Sequence, residues 1–124
     1  MVAHILIVED ELEIANIEQL ALEGHEVEIV HFTAPSKALE FLKSQTPDLL
    51  VLDIGLPGMT GWQLLEQVKA EELLPDEVPV VITTAFSDPA NRVVGKLQAV
   101  TRYITKPFAP AEFRSVVVEL LSLE

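Results

Sequence analysis

The sequence predicts an α/β domain built on a parallel sheet, and three observations carry that prediction. Five short apolar runs alternate with five amphipathic stretches, without an internal repeat, linker or low-complexity tract. The runs are continuously apolar, as strands covered by helices on both faces are. Each run breaks at charged residues or at Gly and Pro, leaving room for right-handed crossovers between parallel strands. With 124 residues, the chain has length for one domain with one core and too little for two.

Taken in order, His4 to Val8 reads as a central strand that stops at Glu9, Asp10 and Glu11. A helix follows to about Glu23, with Ile14, Ile17, Leu20 and Ala21 on one face and Gly24 as its stop. Val27 to Val30 forms a second strand, which Glu28 pushes towards an edge position. Thr33 is placed to cap a second helix, with Pro35 in its first turn and Ala38, Phe41 and Leu42 facing inwards. Asp48 to Asp53 is the third strand. Thr60 and Gln63 then spell a capping box before a helix that buries Gly61, Leu64, Leu65 and Val68. Val80 to Thr84 is the fourth strand. Asp88 and Pro89 open a helix with Ala90, Val93, Val94 and Leu97 inside, Arg102 to Thr105 is a short fifth strand, and a last helix carries Phe113, Val116, Val117 and Leu120.

Composition narrows the function. Hydrophobic residues make up 49% of the chain, but in runs of four or five, too short to span a membrane. The absence of Cys removes disulfides, thiolate catalysis and sulfur-ligated metals. A net charge of −12, from 20 acidic and 8 basic residues, repels nucleic-acid phosphates and anionic lipids, so direct binding to either is not expected. No signal peptide is read at the N-terminus, and a cytoplasmic protein is the simplest expectation.

In a parallel sheet, ligands bind beyond the carboxyl ends of the strands. There the first strand delivers Glu9 and Asp10, the third Asp53, the fourth Thr83 and Thr84, and the fifth Lys106. Gly55, Pro57, Gly58 and Gly61 force a tight loop directly after Asp53. Singly, each residue has an ordinary reading, such as acids favouring a helix N-terminus or Asp53 forming a turn. Jointly, at one sheet edge, they point to chemistry. Clustered acids either raise one another's pKa or recruit a divalent cation. Oxygen ligands without His or Cys suit Mg²⁺. Lys106 and Thr84 suit phosphoryl oxygens, and a carboxylate can accept such a group as an acyl phosphate. His4, His25 and His31 share no spacing and are given no chemistry.

The chain resembles a response-regulator receiver domain over nearly its whole length. IVEDE resembles the acidic motif after the family's first strand, and DIGLPGMTG its D-x-x-x-P-x-x-x-G phosphorylation loop. VITTA resembles the strand ending in Thr-Ala, and YITKPF the switch aromatic with Lys-Pro. The resemblance implies a flavodoxin-like three-layer (βα)5 fold with strand order 2-1-3-4-5. It implies that Asp53 takes a phosphoryl group from a sensor histidine kinase or a histidine phosphotransfer protein. Glu9, Asp10, Asp53 and the Gly55 carbonyl would hold Mg²⁺. Thr84 and Lys106 would bind the phosphoryl group, and Tyr103 would turn inwards with Thr84. The Lys106–Pro107 peptide would be cis. The changing face would be formed by the helix expected from Asp88, the fifth strand and the last helix. Through it an output domain, a partner or a phosphorylation-dependent homodimer would be addressed. Catalysis would be confined to the domain's own phosphorylation and dephosphorylation. Gly55 and Phe86 stand at the two positions flanking the attacking water in this family, and neither side chain can bind that water.

Two alternatives stay open on sequence grounds: a small Mg-dependent phosphatase or phosphotransferase on a similar sheet, and a pseudo-receiver that only binds partners. Haloacid-dehalogenase-like enzymes want a second acid where Gly55 stands. A P-loop is missing, because Gly95-Lys96-Leu97 lies within a helical pattern. The chain is expected to be one receiver domain over residues 1–124, either alone or cut from a longer regulator or hybrid kinase. The final Leu123-Glu124 resembles a vector scar.

Overall fold

The computed structural model describes residues 2–85 and 100–123. Its strands are β1 (Ala3–Val8), β2 (Val27–Phe32), β3 (Leu49–Asp53), β4 (Val80–Thr84) and β5 (Arg102–Thr105). The helices described are α1 (Leu12–Ala21), α2 (Pro35–Leu42), α3 (Gly61–Ala70) and α4 (Pro110–Leu121). The helix expected from Asp88, with Ala90, Val93, Val94 and Leu97, lies outside the described residues, and so does Phe86. The strands form one sheet in the order β2-β1-β3-β4-β5, and every pairing is parallel. This is the flavodoxin-like order expected above.

Period-two alternation along each strand divides the core between the two faces of the sheet. Leu6, Val8, Leu50, Leu52, Val80 and Ile82 pack with Ala38, Leu39 and Leu42 of α2 and Leu64, Leu65 and Val68 of α3. Ile5, Ile7, Leu49, Val51, Val81 and Ile104 pack with Ala21 of α1 and Phe113 and Val117 of α4. Both faces are covered by helix, which is why the strands read as unbroken apolar runs.

Two helices depart from the sequence reading. α1 ends at Ala21, short of Glu23; Leu22 is its C-cap, and Gly24 turns the chain at φ +92° two residues later. Its buried residues are Ala15, Glu18 and Ala21, whereas Leu20 is 65% exposed and Ile14 and Ile17 are half-buried. Of the expected face Ala21 is taken in, together with Ala15 and Glu18, while Ile14, Ile17 and Leu20 are turned partly to solvent. α2 is preceded by Ala34, not Thr33, and has no side-chain cap. Pro35 opens it with a preset φ. Phe41 is half-buried, packed edge-on against Phe32 with centroids 5.7 Å apart.

The start of α3 follows the sequence closely. The Gln63 amide donates to Thr60 Oγ1 at 3.1 Å, and the Thr60 amide donates to Gln63 Oε1 at 2.9 Å. The Gly61 amide donates to the Ile54 carbonyl at 2.9 Å. A Cβ on Gly61 would press into the Asp53 carbonyl oxygen and lie 2.9 Å from the Ile54 Cα. Helix and strand end therefore touch backbone to backbone, which only glycine permits. In α4, Phe113 and Val117 are buried as expected, with Val116 and Leu120 half-buried beside them.

Candidate functional site

The carboxyl ends of β1, β3, β4 and β5 place the expected residues together. Four carboxylates, those of Glu9, Asp10, Glu11 and Asp53, each offer an oxygen within 4.8 Å of the others. Lys106 enters from the loop after β5, its side chain only 9% exposed. Its Nζ lies 2.7 Å from Glu9 Oε1, 3.3 Å from Asp53 Oδ1 and 3.6 Å from Glu11 Oε1. The Lys106 amide donates to the Thr84 carbonyl at 2.7 Å, so the ends of β4 and β5 are tied beside the cluster. The Lys106–Pro107 peptide is cis.

Local hydrogen bonds set the acids in place. The Gly55 amide donates to Asp53 Oδ1 at 3.2 Å, and the Glu11 amide donates to Glu9 Oε2 at 3.2 Å. Asp53 and Glu9 are buried, and Asp10 is half-buried with one oxygen, Oδ1, left without a hydrogen-bond partner. Thr84 is buried at the end of β4 beside Thr83, whose Oγ1 has no hydrogen-bond partner. Tyr103 is half-buried on the α2/α3 side of the sheet, its ring centroid 6.0 Å from that of Trp62 at the start of α3.

The electrostatics follow from burial. Loss of water raises the Glu9 pKa to about 7, against the lowering effect of its bond to Lys106, and the Asp53 charge raises it further. Asp10 is also raised, first by burial and then by its contact with Asp53. Burial alone would lower Lys106, but its bond to Glu9 and the charges of Glu9, Asp53 and Glu11 outweigh that and raise it. The cluster thus holds more negative charge than one ammonium can neutralise. Its donors are all carboxylate oxygens, partly orphaned, and they fit a hard divalent cation such as Mg²⁺.

Three residues of this neighbourhood escaped the sequence reading. Glu11 joins the acid group and approaches Lys106; the run of three acids was its signal. Glu18 is wholly buried, with neither oxygen hydrogen-bonded. Burial, with Glu9 and Asp53 nearby, raises its pKa to about 8. Its signal was a charge three residues after Ala15 and three before Ala21. His31, given no chemistry from sequence, contacts the Glu9 carbonyl through Nε2 at 2.7 Å, and no local spacing announces that bond.

This architecture defines an α/β domain whose acids, hydroxyls and lysine share one sheet edge. Residues 5–118 match the response regulator receiver domain family, and the chain belongs to it. It is 38% identical over 112 residues to the phosphate regulon transcriptional regulatory protein PhoB of Escherichia coli K12, a match covering 90% of this chain and 48% of PhoB. The chain spans about half the length of the curated relatives it matches. A CheY-like receiver domain protein from Methanospirillum hungatei JF-1 superposes with a TM-score of 0.83 at 30% identity, over 98% of this chain and 95% of the other. The receiver domain of a signal transduction histidine kinase from Syntrophus aciditrophicus superposes with a TM-score of 0.81 at 32% identity, over 97% and 90%. Among the described residues, no helix is long and apolar enough to cross a membrane.

Proposed function

We propose that this receiver domain is a phosphorylation-controlled switch with Asp53 as the phosphoacceptor. The observation that carries the reading is Lys106 Nζ at 3.3 Å from Asp53 Oδ1, inside a group of four carboxylates. An Asp53 oxygen attacks the phosphorus of a phosphohistidine on a sensor kinase or phosphotransfer protein. The new O–P bond forms as the P–N bond breaks, and the imidazole leaves with the bonding pair. Glu9, Asp10, Asp53 and the Gly55 carbonyl would hold Mg²⁺, which neutralises phosphoryl charge when bound. Lys106 moves from its carboxylate partners to a phosphoryl oxygen, and the Thr84 hydroxyl takes another. As Thr84 is drawn in, Tyr103 turns further inwards and changes the β5 and α4 surface that an output domain or partner reads. The domain acts catalytically only on itself. We place it in the cytoplasm, as an input element for a partner or for further chain. PhoB, named a transcriptional regulatory protein, supports such an output.

Incubation with Mg²⁺ and phosphoramidate, followed by intact-mass measurement, tests the reading. The expected result is one added phosphoryl group, absent without Mg²⁺ and absent in Asp53→Asn. An unmodified wild-type chain, or an unchanged gain in Asp53→Asn, overturns it.

A further inference from the structure

The loop between β1 and α1 carries three consecutive acids, tied within the loop by the Glu11 amide's bond to Glu9 Oε2. Glu11, the N-cap of α1, makes no side-chain capping bond. The carboxylates of Glu9, Asp10 and Glu11 repel one another and Asp53, which favours the loop's moving away from the cluster. Lys106 holds the Glu9 and Glu11 side chains against that movement, and two hydrogen bonds from the edge strand β2 hold the loop's backbone. The Glu9 amide donates to the Phe32 carbonyl at 3.0 Å. His31 Nε2 meets the Glu9 carbonyl oxygen at 2.7 Å. Because a carbonyl oxygen only accepts, the His31 proton on that bond must be on Nε2.

The clamped carbonyl belongs to the peptide joining Glu9 to Asp10. Fixing that peptide plane fixes the direction in which the Asp10 side chain leaves the backbone. It also fixes the root of the Glu9 side chain, whose two oxygens meet Lys106 and the Glu11 amide. The register places His31 opposite Ile7, so its side chain reaches forward along β1 to the acid loop.

We propose that His31 is a positioning residue: its Nε2–H clamps the Glu9–Asp10 peptide and so presents both carboxylates where a divalent cation is bound. The inference rests on the reading of this cluster as the Mg²⁺ site of a phosphoacceptor. His31 touches neither the phosphoryl group nor the metal; it acts through the backbone. A ring that only filled space beside β1 would affect stability and leave cation affinity alone. A clamp affects cation affinity, and a side chain with a donor at the same reach restores it. Glutamine offers such a donor, whereas asparagine is one carbon too short.

Mg²⁺ titration by calorimetry on the whole chain, with melting temperatures measured in parallel without Mg²⁺, separates the two roles. His31→Asn and His31→Leu should weaken Mg²⁺ binding on the order of tenfold, the lower range for loss of a supporting bond to a metal site. His31→Gln should stay close to wild type. Wild-type Mg²⁺ affinity in His31→Asn, or equal weakening in His31→Asn and His31→Gln, overturns the inference. If His31→Leu does not fold, the Asn and Gln pair still decides. A wild-type chain that binds Mg²⁺ but takes no phosphoryl group sinks the phosphoacceptor reading alone, and the calorimetry still judges the clamp. A wild-type chain that binds no Mg²⁺ sinks both.

Discussion

Glu18 sits wholly buried with both oxygens unbonded, and that gives the fold a pH signature. Its pKa rises from 4.5 to about 8 on folding, chiefly through burial. Below pH 4.5 both states keep the proton, and stability does not respond. Between 4.5 and 8 the unfolded chain releases a proton that the folded chain retains, so stability falls as pH rises. Glu18→Leu removes that dependence and replaces an orphaned polar group with an apolar one of similar size. It should stabilise the domain by on the order of 2 kcal/mol at pH 8, and by less at pH 5. Urea unfolding at both values checks this; equal gains at both would show that Glu18 does not hold a proton in the fold. At the opposite end of legibility stand Asp53 and Lys106, readable because strand-end residues in a parallel sheet must meet at one edge. The resemblance to the receiver family assigns Gly55 and Phe86 to the positions that flank the attacking water. Neither can hold a water by its side chain, so Gly55→Asn with Phe86→Glu should shorten the phosphoryl lifetime. Unchanged decay after removal of the phosphodonor would refute it.

At the scale of elements, strands were the most legible parts and helix faces the least. Arg102 to Thr105 was readable as a strand to the residue, since Lys106-Pro107 closes it. The α1 stripe was misread because periodicity reports which side could be apolar, not which side the sheet accepts. Ala21 faces inwards as the pattern expects, but Leu20, which fits the pattern better than Glu18, is exposed while Ala15 and Glu18 are buried. The long bond from His31 to Glu9 spans 22 residues and leaves no local pattern. The loop–α3 junction was legible because its glycine has a single steric reason, the close approach of α3 to the Asp53–Ile54 backbone. Gly61→Ala forces Ile54 or α3 to shift and should cost about 1–3 kcal/mol, the range for overpacking. Thr60→Ala, which loses only one cap bond, should cost about 1 kcal/mol. Chemical denaturation orders the two; a Gly61→Ala protein as stable as wild type would show that the junction has slack.

Across the whole molecule, the doubly covered sheet holds four acids and Lys106 at one edge of a chain with net charge −12. Without a cation, that edge opposes its own folding through repulsion between like charges. Asp10→Asn should therefore raise the melting temperature in the absence of Mg²⁺. In excess Mg²⁺ the order should reverse, because a ligand at about 100 times its Kd stabilises the native state by about 2.7 kcal/mol. An unchanged order would argue against cation binding at the cluster. The most direct measurement is the location of the phosphoryl group. Borohydride reduces an aspartyl phosphate to homoserine, so a chain treated with Mg²⁺ and phosphoramidate, reduced and mapped by tandem mass spectrometry, should carry homoserine at position 53. Homoserine at another acid, or a phosphoryl group retained on a histidine with Asp53 intact, would contradict the assignment of Asp53 as the acceptor.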